Sequence, residues 1–237
     1  MKHSSTETWI PTFADDSDDS PAESFDDALS RLMHFQTATA YDGFGSYLGD
    51  ASPGGATDRV SATAIGRRQS VRAFSTVAIP KDLFAPALAA TYAEDATGHC
   101  EVPSAGNIQA VKFLAICSAS RLVLTPTKKT SFEVHPSLAR DIDLRGLLFG
   151  RVTGDPWIVI IYSDAKPYLV KYGLRALRLM YLEAGHLCQS LIWETQRAGF
   201  VGCPFGAFDD SIAAKLIFEP SCTNIPLYIY AVGYPAA

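Results

Sequence analysis

Nowhere in this 237-residue chain do about 18 apolar residues follow one another without a charge, so no membrane-spanning helix is expected. The start, Met1 to Glu7, leads into no apolar stretch, and no secretory signal is expected either. Cysteine is sparse. The five, at 100, 117, 188, 203 and 222, lie far apart, form no C-x-x-C pair and have no histidine at ligand spacing. Such scattered thiols argue against a disulfide framework or a zinc site and read as reduced cysteines in a cytoplasm. A basic footprint for nucleic acid is missing as well.

What is present is enough apolar residue, 48%, for one substantial core, with 19% charged. The net charge of −5 is unevenly placed: residues 1–30 hold eight acids and one lysine, residues 31–237 seventeen acids and nineteen Lys plus Arg. The acidity therefore belongs to a tail, and the body is close to neutral. Residues 1–25 read as a disordered acidic tail. Residues 26–57 read as a short amphipathic helix at 28–35 and a Gly/Ser-rich loop, and 58–237 as one domain.

The chain is organised around the stretch 166–200. Leu177, Met180, Tyr181, Ala184, Leu187, Cys188, Leu191 and Ile192 recur at spacings of three and four, the period of one apolar helix face. A helix from Leu174 to Ala198 would be about 37 Å long, with Gly199 placed to cap its C-terminus and Arg197 suited to the negative end of its dipole. Lys171, Tyr172, Arg175 and Arg178 crowd its entrance. Lys171 and Tyr172, being adjacent, converge on one spot only if a helix starts there. Arg175, Arg178 and Glu183 read on spacing as an intrahelical ion-pair cluster.

Upstream, Arg68, Ser70 and Arg72 alternate, so in an extended segment they share a face. A phosphate clamp and an edge segment with solvated arginines fit that spacing equally. Ile79 to about Ala93 reads as a helix. The turn Pro103-Ser104-Ala105-Gly106-Asn107-Ile108-Gln109 feeds an apolar strand, Val111 to Cys117. Small residues there permit close backbone approach to a flat ligand. A hairpin is expected over 121–135, a helix over 136–148, and a buried central strand over Trp157–Tyr162. Val201 to Asp210 reads as a glycine turn into a short helix, followed by a last strand, Pro226 to Gly233. The order favours an α+β fold.

Three of these segments, in this order, resemble one superfamily, the FMN-dependent nitroreductases: R-Q-S-V-R-A-F (68–74), P-S-A-G-N-I-Q (103–109), and the long helix followed by G-F-V-G-C-P-F-G-A-F-D-D (199–210). Within it, K-Y-G-L-R-A-L-R-L-M-Y-L-E-A-G-H (171–186) resembles the SagB-type dehydrogenases, which act in the maturation of peptides containing thiazoles and oxazoles. The resemblance implies a central, mostly antiparallel sheet flanked by helices, with the long helix at a homodimer interface. It implies FMN as cofactor, with Arg68, Ser70 and Arg72 at the phosphate and Arg178 as a further contact. Pro103, Ser104, Ala105, Asn107 and Gln109 would contact the flavin, and backbone N–H groups around Phe205 and Gly206 would stabilise its reduced form. Lys171 and Tyr172 would be the catalytic pair.

The implied reaction removes a proton and a hydride from an azoline ring of a precursor peptide, within a cyclodehydratase complex. A tyrosine, with an ordinary pKa of about 10, needs a neighbouring cation to act as base, or a desolvated lysine acts instead; the sequence leaves both open. Two other readings stand beside this one. Asn107-Ile108-Gln109-Ala110 is closer to ordinary NAD(P)H-dependent nitro- or quinone reductases, and a flavin-free scaffold recruiting a heterocycle-forming partner is the third. Cys203 reads as a small buried filler rather than a redox thiol.

Overall fold

The structure, a computed structural model, describes residues 68–91, 100, 102–117, 122–128, 131–134, 144–217 and 223–236. The acidic tail, the 28–35 helix and the Gly/Ser-rich loop lie outside these residues. So do Arg121, residues 135–143, Cys222 and the end of the first expected helix.

Six strands make one sheet in the order β3-β2-β1-β4-β6-β5, every neighbouring pair antiparallel. They are β1 (Val111–Cys117), β2 (Leu122–Lys128), β3 (Ser131–Val134), β4 (Trp157–Asp164), β5 (Val201–Phe205) and β6 (Asn224–Gly233). β1 and β4 are buried on both faces, which is why they read as continuous apolar runs rather than alternating ones. The α-helices among the described residues are α1 (Lys81–Ala90), α2 (Leu144–Leu147), α3 (Ala165–Tyr172), α4 (Ala176–Arg197) and α5 (Asp210–Leu216).

The two faces of the sheet carry two cores. Phe113, Ala115, Trp157, Val159, Ile161 and Val232 pack with Phe84 and Leu88 of α1 and with Met180, Ala184, Leu187 and Leu191 of α4. Leu114, Ile116, Ile158, Ile160 and Ala231, one residue out of step along the same strands, pack with Leu147, Ala213, Leu216 and Phe74. Period-two alternation thus divides each strand between two helical layers. The Trp157 indole closes the first core by donating to the Ile79 carbonyl at 2.8 Å.

The long helix is α4, about 33 Å at 1.5 Å per residue over 22 residues. Gly199, at φ +87°, ends it as the spacing foretold: the Phe200 N–H donates to Thr195 O and the Gly199 N–H to Gln196 O, both at 2.9 Å. That pair of bonds is the Schellman arrangement, and only glycine enters its left-handed position freely. The buried stripe differs from the expected one in composition. Tyr181 is half exposed, while Glu183 and Thr195 are buried within the stripe. A polar residue satisfied by tertiary partners carries no hydropathy signal: Thr195 Oγ1 lies 2.9 Å from the Tyr230 hydroxyl and donates to Leu191 O at 2.7 Å.

The first helix is described from Lys81 to Ala90, with Thr91 as its C-cap. Other boundaries shift. β2 continues through the expected turn to Lys128, with its register shifting between Pro126 and Lys128, where proline cannot donate to the ladder. Val201–Phe205, expected as a glycine turn, is a strand paired to β6 from Val201↔Gly233 to Phe205↔Ile229. Gly202 belongs there for packing: a Cβ on it would meet the Ala231 carbonyl and the Tyr230 ring.

Candidate functional site

β4 runs directly into α3, whose first turn is capped by the Asp164 carboxylate accepting from Lys166 N–H at 3.0 Å. The Thr223 hydroxyl donates to the same carboxylate at 2.6 Å, and these bonds hold the Asp164 carboxyl below its usual range. α3 lasts two turns and stops at Tyr172. Gly173 (φ 56°, ψ −140°) breaks the rod, and a 3₁₀ turn, Gly173–Arg175, leads into α4. Lys171 and Tyr172 were expected at the start of the long helix; they stand at the C-terminal end of a short helix before it. The break does what a helix start was needed for, because Tyr172 leaves helical geometry at φ −125°, ψ −2°.

Their heads meet the turn ahead of β1. Lys171 Nζ donates to the Gly106 carbonyl at 3.3 Å. A Cβ built on Gly106 would fall on both Tyr172 Oη and Lys171 Nζ, so the two functional groups converge on the one residue of the turn without a side chain. The turn is unusual in its backbone. Gly106, Asn107 and Gln109 all have φ between 54° and 59°, a region costly for residues other than glycine. It is held by Asn107 N–H to Ser104 O at 3.1 Å, Gln109 N–H to Ser104 Oγ at 2.8 Å and the Gln109 amide to Asn107 Oδ1 at 2.6 Å. Pro103, Gly106 and Asn107 are exposed, while Ser104, Ala105 and Gln109 are half-buried. Strained backbone kept in place by its surroundings is a mark of functional turns.

This geometry makes Gly106 a sensitive position. Gly106→Ala is expected to cost only about 1–2 kcal/mol of stability, the penalty for an L-residue in the left-handed region, because its Cβ meets the ends of flexible side chains. Turnover should fall far more than melting temperature, since both heads must move. Equal losses in the two, read from melting curves and turnover side by side, would count against the convergence being functional.

A second group lies along β5. Ser70 forms an isolated parallel bridge to Gly202, and the Val71 N–H donates to Gly202 O at 3.2 Å. Arg68, Ser70 and Arg72 are all exposed. The Arg68 guanidinium donates to Ser70 Oγ at 3.0 Å, and the Arg72 guanidinium lies 5.9 Å from the centre of the Phe205 ring. Phe205 is buried as the last residue of β5, and Gly206 follows it, exposed. The strand register puts Phe205, the start of β1 and the exit of β4 toward one end of the sheet. Arg178 is half-buried on α4. Cys203 is a buried filler whose thiol donates to Pro204 O at 3.5 Å.

Glu183 is the residue that spacing misread. It is 5% exposed, accepts from the buried Tyr168 hydroxyl at 2.5 Å and from the Ala105 N–H at 3.3 Å, and so faces the turn. Burial first, and then the Glu183 carboxylate, push the Tyr168 phenol well above its ordinary value. No periodicity signals such a role, because the partners come from two other segments. Among the described residues, no His/Cys/Asp/Glu cluster could hold a metal, and no helix is long and apolar enough to cross a membrane.

The sequence profile described as "Nitroreductase family" matches residues 65–234. Among solved structures, a protein of Ralstonia eutropha assigned as a nitroreductase superposes with a TM-score of 0.63 at 13% identity, covering 79% of this chain and 88% of its own. A chain of the E. coli microcin synthetase McbBCD complex, solved with truncated pro-MccB17 bound, gives 0.59 at 15%, covering 89% and 93%. A Staphylococcus epidermidis protein assigned as an NAD(P)H:FMN oxidoreductase gives 0.51 at 14%, covering 76% and 90%. No curated protein matches the sequence.

Proposed function

From the premise that this chain belongs to the nitroreductase family, we propose that it is an FMN-dependent dehydrogenase oxidising azoline rings of a peptide to azoles. The observation that carries this reading is the convergence of Lys171 Nζ and Tyr172 Oη on Gly106. A reductase working only by hydride exchange through a flavin needs no such pair. An oxidation that must also take a proton from carbon does. The superposition on a chain of the microcin synthetase complex, solved with truncated pro-MccB17 bound, is in keeping with a peptide substrate and a multi-protein complex.

The residues present fit a flavin mononucleotide. Arg68, Ser70 and Arg72, all exposed, with the Arg68 guanidinium donating to Ser70 Oγ, are a donor set matched to a phosphate. The turn 103–109 offers amide groups and a side-chain-free Gly106 for close approach to a flat ring. Bound FMN would supply the acceptor for the hydride, and with it for both electrons that the ring gives up. The protein's own tasks are to hold the azoline over the turn and to accept its ring proton. Tyr172 or Lys171 is the acceptor, with the other holding it in place.

Oxidation of a thiazoline-containing peptide, followed as a mass loss of about 2 Da per ring with dioxygen as final acceptor, tests the reading. A second reading, an NAD(P)H-dependent reductase, is favoured by Asn107 and Gln109 in the turn. Anaerobic addition of NADPH separates the two. Slow bleaching of the flavin, with ready peptide oxidation once dioxygen is admitted, is the expected result. Fast bleaching with an untouched peptide would make the reductase the function.

A homodimer belongs to this proposal. Leu174, Leu182 and Trp193 are 69, 55 and 48% exposed on the face of the α4 segment away from the core, with Gly185 between them. A helix apolar on both sides is one buried on both sides, and a second copy of this chain is the proposed cover. Light scattering should give twice the chain mass. Leu182→Glu with Trp193→Lys should give monomers that have lost flavin; a flavin-loaded monomer would remove the interface.

A further inference from the structure

Glu183 has a buried carboxylate for which the proton transfer has no use. Both its bonds end on one atom: Tyr168 Oη and Ala105 N–H each donate to Oε2. Tyr168 belongs to α3 and lies one helical turn before Lys171 and Tyr172, on the side they share. Ala105 opens the 3₁₀ turn that carries Gly106. One oxygen of α4 therefore joins the segment bearing the Lys-Tyr pair to the segment the pair converges on. Bonding to two separate atoms would fix each segment to α4 and allow them to move apart; sharing one atom fixes them to each other.

The surroundings make that tie consequential. Behind the turn lies a cavity of about 40 Å³ lined in part by Cys100, Ser104, Gln109 and Glu183. That space, with room for more than one water, leaves Ser104 and Gln109 without close packing on that side. The turn's left-handed residues, Asn107 and Gln109, favour relaxation once released. Ala105 and Ile108 pack against the core on either side, but Gly106 itself offers no side chain to pack and depends on the hydrogen bonds of its neighbours.

We infer that Glu183 is a positioning residue, setting through Tyr168 and Ala105 the separation between the Lys171–Tyr172 heads and the Gly106 turn. The activity arm of the test rests on the azoline-oxidation reading; the labelling arm does not. Glu183→Gln, Glu183→Leu and Tyr168→Phe are compared in the full chain. One amide oxygen accepts both bonds, so Glu183→Gln should match wild type. In Glu183→Leu and Tyr168→Phe, acylation of Lys171 by an amine reagent should accelerate roughly fivefold relative to Lys81, the effect of one lost hydrogen bond. Azoline turnover should fall about 10-fold or more with KM for the peptide unchanged, the mark of misplaced rather than missing groups.

If Glu183→Leu fails to fold, Tyr168→Phe decides, since it removes the hydroxyl that bonds Glu183 and keeps the ring. Unchanged Lys171 labelling in the folded variants would overturn the inference. So would Glu183→Gln falling as far as Glu183→Leu, because the charge rather than the shared acceptor would then be what matters. A wild type that labels as expected but leaves azolines untouched would count against the proposed function and not against this role.

Discussion

Lys171→Ala and Tyr172→Phe are each expected to lower azoline oxidation by about 100-fold or more, the usual scale for a general base, while leaving flavin content unchanged. Tyr172→Phe keeps the ring and its packing and removes only the hydroxyl. Lys171→Ala removes a head that is exposed and bonds one carbonyl, so little folding energy goes with it. Both heads converge on one residue, Gly106, and groups that act together on one proton do not contribute additively. The double variant should therefore be little worse than the worse single one. The measurement is peptide turnover by mass spectrometry, with flavin released and quantified from the same sample. Wild-type turnover in both single variants would transfer the lead to the NADPH-dependent reductase.

Arg68→Ala combined with Arg72→Ala should give a colourless protein. Each guanidinium offers charge-assisted bonds to a phosphate worth about 1.5–3 kcal/mol. Losing both should weaken FMN binding by about 100-fold or more. Folding should hardly change, because both arginines are exposed. Arg72 gives up only a distant contact with the Phe205 ring, at 5.9 Å. Titration of the flavin-stripped protein with FMN, watched by quenching of flavin fluorescence, reads the affinity directly, and melting curves of the stripped proteins read the folding. Full flavin occupancy in the double variant would remove these residues from the phosphate site. Raising salt should mimic the effect weakly in wild type, since exposed charges are screened.

What could be read from the chain followed from period and local chemistry. Trp157–Tyr162 was legible as a central strand because burial on both faces requires unbroken apolar residues. Gly199 was legible as a helix end because the left-handed position needs glycine. The ordered triple 68–74, 103–109 and 199–210 carried the family, and the profile match over 65–234 agrees with it. β5 was not legible: Val201–Phe205 contains a glycine and a proline, and only pairing with β6 makes it a strand.

The sequence by itself determined the two-sided sheet, the long apolar helix and the residue types that meet at its entrance. Each is a local pattern, repeated at the period of its element. Tertiary structure alone decided that Lys171 and Tyr172 close a short helix rather than open a long one. It also decided that they converge on Gly106, and that Glu183 is buried against Tyr168 and Ala105 instead of joining surface ion pairs. Apart from Tyr168 and Glu183, which lie 15 positions apart, those contacts join residues 65 to 78 positions apart. No local periodicity records such separations, because their geometry exists only once the sheet has brought the start of β1 beside the exit of β4.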